Sequence, residues 1–211
     1  MNRLDRGSIA LAVCLAALAG CVDAIGFLQL GGHFVSFMSG NSTQLAVGLV
    51  TDRGGAVLEL TAIIVLFVIG AGLGTLTAHF SRTLQAFAVL AVVAGLLATA
   101  AAACAFGFTA PAIGLIAVAM GAENAVFQRD GDIVVGLTYM TGTLAKLGQK
   151  LAQAATGGPP LAFVPYLLLW SGLMAGGAAG ACLYHALGLN GLWIAALWAT
   201  LMALAARWNP A

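Results

Sequence analysis

The chain has 211 residues, of which 62% are hydrophobic and 7% charged, with a mean hydropathy of +1.03 and a net charge of +1. A soluble domain carries about 25% charged residues, so this composition excludes one and identifies an integral membrane protein. The small net charge gives no electrostatic footprint for nucleic acid. No long polar linker divides the chain, and residues 1–211 are expected to form a single membrane domain.

A helix crossing the hydrocarbon core needs about 20 mostly apolar residues. Six stretches meet that need: Ile9 to Leu28, Ala56 to Phe80, Leu84 to Phe108, Ala112 to Gln128, Leu161 to His185 and Gly191 to Arg207. The first also resembles a bacterial lipoprotein signal, with Arg3 and Arg6 ahead of the apolar run and Leu18-Ala19-Gly20-Cys21 as a cleavage box. Apolar sequence resumes at Val22, and Gly20 and Asp23 belong to a repeated motif, so the segment is expected to be retained as a span.

Two more segments, His33 to Val50 and Val134 to Thr156, look helical but too polar to cross. The second is amphipathic, with Tyr139, Thr143, Lys146, Lys150 and Gln153 on one stripe and Met140, Leu144, Leu147 and Leu151 on another. Each lysine near the bilayer centre costs roughly 2.5 to 3.5 kcal/mol. Both segments are therefore read as short re-entrant or interfacial helices, allowed at membrane depth only where protein or water covers them.

Six spans and a cytoplasmic N-terminus put Arg3, Arg6, Arg82, Arg129, Lys146, Lys150 and Arg207 inside and leave only Arg53 outside. Letting both polar segments cross would move Arg82 and Arg129 outside, a poorer split. The C-terminus is then cytoplasmic too, and the expected location is a bacterial inner membrane.

Two regions about a hundred residues apart carry the same landmarks. The first has Gly20-Cys21-Val22-Asp23-Ala24, then Phe37-Met38-Ser39-Gly40-Asn41, then Gly70, Gly72, Gly74 and His79; the second has Gly121-Ala122-Glu123-Asn124-Ala125, then Tyr139-Met140-Thr141-Gly142-Thr143, then Gly176, Gly177, Gly180 and His185. Offsets drift only from 101 to 102 to 106 and the order never changes. The expected fold is an all-α, polytopic membrane helix bundle of two internal repeats, about 9–108 and about 112–208, with six spans and two short polar helices. Three spans per repeat is odd, so the repeats are inverted. Solute sites in such folds lie at the repeat interface near the bilayer midplane.

Asp23 lies about fifteen residues into the first apolar stretch, where a carboxylate is expensive and marks a functional site. Glu123 sits beside Asn124, the counterpart of Asp23. A carboxyl held away from water can keep an exchangeable proton near neutral pH, which makes Asp23 and Glu123 candidates for proton or cation coupling. The alternative is helix–helix hydrogen bonding, for instance Asp23 with Asn124 or Thr141. Ser39, Asn41, Thr141 and Thr143 place hydroxyls and amides beside glycine, as in discontinuous helices that bind solute or ion; sealing the interface is the bland reading.

Gly70, Gly72 and Gly74, with Gly172, Gly176 and Gly180, form small-residue faces for close helix packing. They could join the two halves of one chain or two chains of a homo-oligomer. Cys14, Cys21, Cys104 and Cys182 lie in apolar runs without a C-x-x-C pair, so packing is expected and no metal or cofactor. His79 and His185 are expected to anchor span ends, and Gln128-Arg129-Asp130-Gly131-Asp132 to form a solvated turn.

Gly20-x-Val22-Asp23-Ala24, Phe34-x-x-x-Met38-Ser39-Gly40-Asn41, Met120-Gly121-x-x-Asn124-Ala125 and Thr138-Tyr139-Met140-Thr141-Gly142-Thr143-Leu144 resemble the motifs of the YoaK family, small bacterial inner-membrane proteins of unassigned function. The resemblance covers nearly the whole chain and implies a six-span membrane protein without supplying a substrate. Ser39 stands where the family usually has Thr, and Glu123 where Gln is expected. The leading functional expectation is a small transporter or permease for an unidentified solute or ion. A channel is the nearest rival, since the same groups could line a pore. A serine intramembrane enzyme using Ser39 and His185 is disfavoured, because Phe37 replaces the leading glycine of the usual pattern.

Overall fold

Backbone groups in lipid must be satisfied within the segment, which makes helices the default for so apolar a chain. The computed structural model describes residues 6–51, 54–129, 132–133 and 140–208, without the side chains of Arg6, Arg129, Asp132 and Ile133. Arg3, Arg53, Asp130, Thr138, Tyr139 and the start of the second polar segment lie outside that range. The described helices are α1 (Arg6–Gln29), α2 (Met38–Val50), α3 (Gly54–Phe80), α4 (Gln85–Ala105), α5 (Thr109–Glu123), α6 (Met140–Ala155), α7 (Val164–Leu187) and α8 (Leu192–Trp208). A two-residue antiparallel pair, Gln128–Arg129 with Asp132–Ile133, follows α5 where a plain turn is expected.

Among the described residues, four helical stretches are long and apolar enough to cross a membrane: Gly7–Gln29, Gly54–Phe80, Arg82–Ala105 and Val164–Trp208, the last holding both α7 and α8. α5 is apolar but shorter. The outer face of α3 carries Leu58, Val65, Val68, Ile69, Leu76 and Phe80, all exposed as a lipid contact requires. Two of its hydroxyls are met within the helix: Thr61 donates to the Val57 carbonyl at 2.7 Å and Thr77 to that of Leu73 at 2.8 Å.

Helices meet through glycine. A Cβ on Gly176 or Gly180 of α7 would overlap the backbone of Ala17 or Cys21 on α1, and one on Gly20 would overlap Leu173. The contact of α3 with α5 has the same construction: Gly70 meets Val118, Gly74 meets Ala122, and Gly121 meets Phe67 and Ala71. The correspondence holds residue by residue, since Gly176 and Gly180 follow Gly70 and Gly74 by 106 positions and Val118, Gly121 and Ala122 follow Ala17, Gly20 and Cys21 by 101. One level away the small residue changes helix, with Gly172 of α7 against Val13 but Gly114 of α5 against Leu66. Gly72 does not share this role: open space surrounds it, because two residues along a helix turns it to the far side. α4 and α8 pack against each other, and Leu90, Val93 and Leu97 of α4 and Ala195, Ala199 and Met202 of α8 are buried.

Two expected helix limits are corrected. Helix is expected from His33, yet the chain leaves α1 through Gly31 (φ 62°) and Gly32 (φ 119°) and becomes helical only at Met38. These left-handed positions suit glycine and turn residues 33–37 back against α1, where Val35 sits over Gly26. Hydropathy extends the fourth span to Gln128, but the helix stops at Glu123 and continues as tighter turns, with Ala125 N–H on the Ala122 carbonyl and Val126 N–H on that of Glu123. Gln85 compensates, its Nε2 donating to the carbonyls of Ala125 (3.0 Å) and Gln128 (2.8 Å).

Gly176→Val and Gly70→Val should each destabilise the bundle by about 1–3 kcal/mol through overpacking, while Gly72→Val should stay within about 0.5 kcal/mol; denaturant unfolding in detergent measures all three. Gln85→Leu should cost about 1–3 kcal/mol by stranding buried carbonyls, and hydrogen exchange should rise locally over residues 124–128.

Candidate functional site

Asp23 holds the returning loop. Its Oδ1 accepts the N–H groups of Val35 and Ser36, both at 2.8 Å, and Ser36 adds its hydroxyl to the same carboxylate. Its partners are therefore the loop of its own half, and the expected pairing with Asn124 or Thr141 is not what it makes. Asn41 clamps the loop from the other side: its Oδ1 accepts Phe34 N–H at 3.0 Å and its Nδ2 donates to the Phe34 carbonyl at 2.6 Å. Fully buried, Asn41 spends its amide on this backbone. Gln44 completes the frame, donating to the Gly32 carbonyl at 3.1 Å and meeting His33 Nδ1 at 2.7 Å.

Held this way, the start of α2 faces the second half of the chain across a pocket of about 330 Å³. Ser36, Phe37, Met38 and Ser39 line one side, Asn124, Met140, Thr141 and Gly142 the other, and Phe67 and Ala71 of α3 a third. Both α2 and α6 begin here. No side chain caps α2; the Ser36 and Phe37 carbonyls take the N–H groups of Met38 and Asn41, which leaves those of Ser39 and Gly40 at a helix start that favours electron-rich atoms. Hydroxyls of Ser39 and Thr141 add adaptable donors.

Of the seven residues expected at one site, this pocket brings together Ser39, Asn124 and Thr141. Asp23 reaches it only through Ser36. Thr143 is buried and already engaged. Glu123 is fully buried at the end of α5, both oxygens without a hydrogen-bond partner among the described residues. It matches Val22 of the first copy by the offset of 101, so the two acids occupy different helix faces. Ser36 and Gln85 escape sequence reading, since neither belongs to a repeated motif; a polar residue at the mouth of an apolar span was the available signal for Gln85.

In the second polar helix, Met140 and Thr143 of α6 face inward while Leu144 and Leu151 are exposed, so the apolar stripe is split between the interior and the outer surface. Lys150 donates to Gln153 Oε1 at 2.9 Å. His79 and His185 are exposed in the last turns of α3 and α7. Among the described residues no group of His, Cys, Asp or Glu could hold a metal.

Comparison with known proteins agrees with this membrane architecture. A family described as protein of unknown function (DUF1275) matches residues 11–205. A UPF0700 transmembrane protein of Rhizobium meliloti (strain 1021) is 36% identical over 211 residues, covering 99% of this chain and 90% of the relative. No solved structure matches. Matched over nearly its whole length, this chain belongs to the DUF1275 family of membrane proteins.

Proposed function

We propose that the protein is a small membrane transporter, a permease of two inverted repeats with its solute site at their interface. The observation that carries this reading is the pocket itself: α2 and α6 both begin at it, and the hydroxyl residues Ser39 and Thr141, matched by the offset of 102, line it from the two halves. The doubly built glycine interface supports the duplication, because the α1–α7 and α3–α5 contacts use glycines and partners at matching offsets along the chain. Six spans follow if α5 is completed by its buried turn and α7 and α8 are counted apart. The N- and C-termini are then cytoplasmic, and the bilayer is the inner membrane. Three of the four YoaK-like motifs contribute lining residues, Met38 and Ser39, Asn124, and Met140 to Gly142.

Helix starts and hydroxyls suit a small solute rich in acceptor oxygens. Glu123 supplies the coupling proton: a buried carboxyl without partners costs stability unless function retains it. The channel reading shares the pocket and differs in kinetics. The serine-enzyme reading has little support, since His185 is exposed in the last turn of α7 and does not line the pocket with Ser39.

Purified protein in liposomes, offered glycerol, lactate and phosphate in turn with a pH dye inside, should show saturable uptake of at least one. Ser39→Ala and Thr141→Val should lower it about tenfold, roughly the loss of one good hydrogen bond to a charged group. Linear, unsaturable flux would favour the channel, and no flux of any kind would sink both. Glu123→Met should raise unfolding stability by about 1–3 kcal/mol while abolishing proton movement with the solute; a destabilised Glu123→Met would mean that the carboxyl is structural.

A further inference from the structure

A second cavity, of about 480 Å³, lies along α1 and α7. Gly20, Ala24, Phe27 and Leu28 of α1, Leu173, Met174, Gly177, Ala178 and Ala181 of α7, and Phe34 of the returning loop line it. Every one of these side chains is apolar or absent. The exception is Asp23, which belongs to the same wall.

Asp23 is neutralised by nothing nearby. Its donors are the N–H groups of Val35 and Ser36 and the Ser36 hydroxyl, all uncharged, and among the described residues it forms no ion pair. Holding the loop does not by itself require a charge, since an amide oxygen at the same place would accept both N–H groups. The corresponding place at the α3–α5 contact carries an amide for the acid: Gly121, Asn124, Phe67 and Ala71 stand there as Gly20, Asp23, Leu173 and Gly177 stand here. A carboxylate beside an apolar, lipid-side groove is costly and is kept where it meets a cation.

Phe27 and Phe34 add a second preference. Their rings lie 4.8 Å apart at 39° within the groove wall, and aromatic faces attract cations that have little hydration to lose. The volume is that of a drug-sized ligand site, far more than a metal ion or ammonium needs.

We infer that this groove is a binding site for a hydrophobic organic cation, with Asp23 as counter-ion and Phe27 and Phe34 as its aromatic wall. It is a site separate from the donor-lined pocket, and its occupant enters from the lipid side past Met174 and Ala178, both exposed. The groove excludes hydrophobic anions, for which the same carboxylate is repulsive.

The test is saturation binding of labelled tetraphenylphosphonium to the full chain in zwitterionic nanodiscs, with tetraphenylborate as the anion of matching shape. The wild type should bind the cation saturably and the borate only by partitioning into lipid. Asp23→Asn, which can still accept the loop N–H groups, should weaken cation binding about tenfold or more. Ala178→Trp, which fills the groove from its exposed side and leaves the Asp23 contacts intact, should do the same in protein that remains monodisperse. Ser39→Ala and Thr141→Val should bind as the wild type does, which separates this site from the transport pocket. Equal, unsaturable uptake of phosphonium by all variants, or borate binding as well as phosphonium, overturns the inference.

Discussion

Close backbone contact between helices is the constraint on which the rest of the molecule depends. In a bilayer, lipid tails are as apolar as leucine, so helices gain little by hiding side chains and must gain by dispersion at short range. Gly176 and Gly180 on α7, and Gly70 and Gly74 on α3, remove the side chains that would keep those backbones apart. Such contacts leave one rotation of each helix pair open, because only one stripe on each helix is small. With that rotation set, Asp23 and Asn124 take up comparable places next to comparable seams.

The seams in turn decide where polar chemistry can survive. Residues 33–37 are not helical and lie against α1 at the level of Gly26 and Asp23, a conformation tolerated in lipid only when its N–H and carbonyl groups are matched. Asp23 and Asn41 do that matching, one on Val35 and Ser36, the other on both backbone groups of Phe34. Rigid support of this kind fixes the first turn of α2 at the edge of the pocket. The break after Glu123 follows the same logic, with Gln85 donating to the carbonyls of Ala125 and Gln128. Both irregularities border the pocket between the halves, and that coincidence of unwound backbone with polar lining is what makes transport the best reading of the fold.

Asymmetry between otherwise matched positions is as informative as their likeness. Asp23 against Asn124 puts a charge on one seam and an amide on the other; Val22 against Glu123 reverses the sense one residue earlier. The apolar groove and the donor-lined pocket are thus chemically opposite though similarly framed. A chain that needed only mechanical symmetry would have no use for that difference.

Hydropathy alone was enough to establish a helical membrane protein, and the recurring glycines announced where helices would touch, because both depend on residue type and spacing along one segment. Asp23 stood out for the same local reason. Side-chain direction was not legible in this way: Asn41 reads as a solute ligand until its amide is found on Phe34, Gly72 reads as interface until it is found facing open space, and Ser36 carries no mark at all. The stop of α5 at Glu123 was equally hidden, since no glycine or proline announces it and its cost is met by a residue on α4. Sequence determined the solvent and the elements through near-neighbour physics. Tertiary structure alone decided which polar groups were spent on backbone and which were left facing a cavity, because hydrogen-bond partners far apart along the chain are assigned by how helices pack.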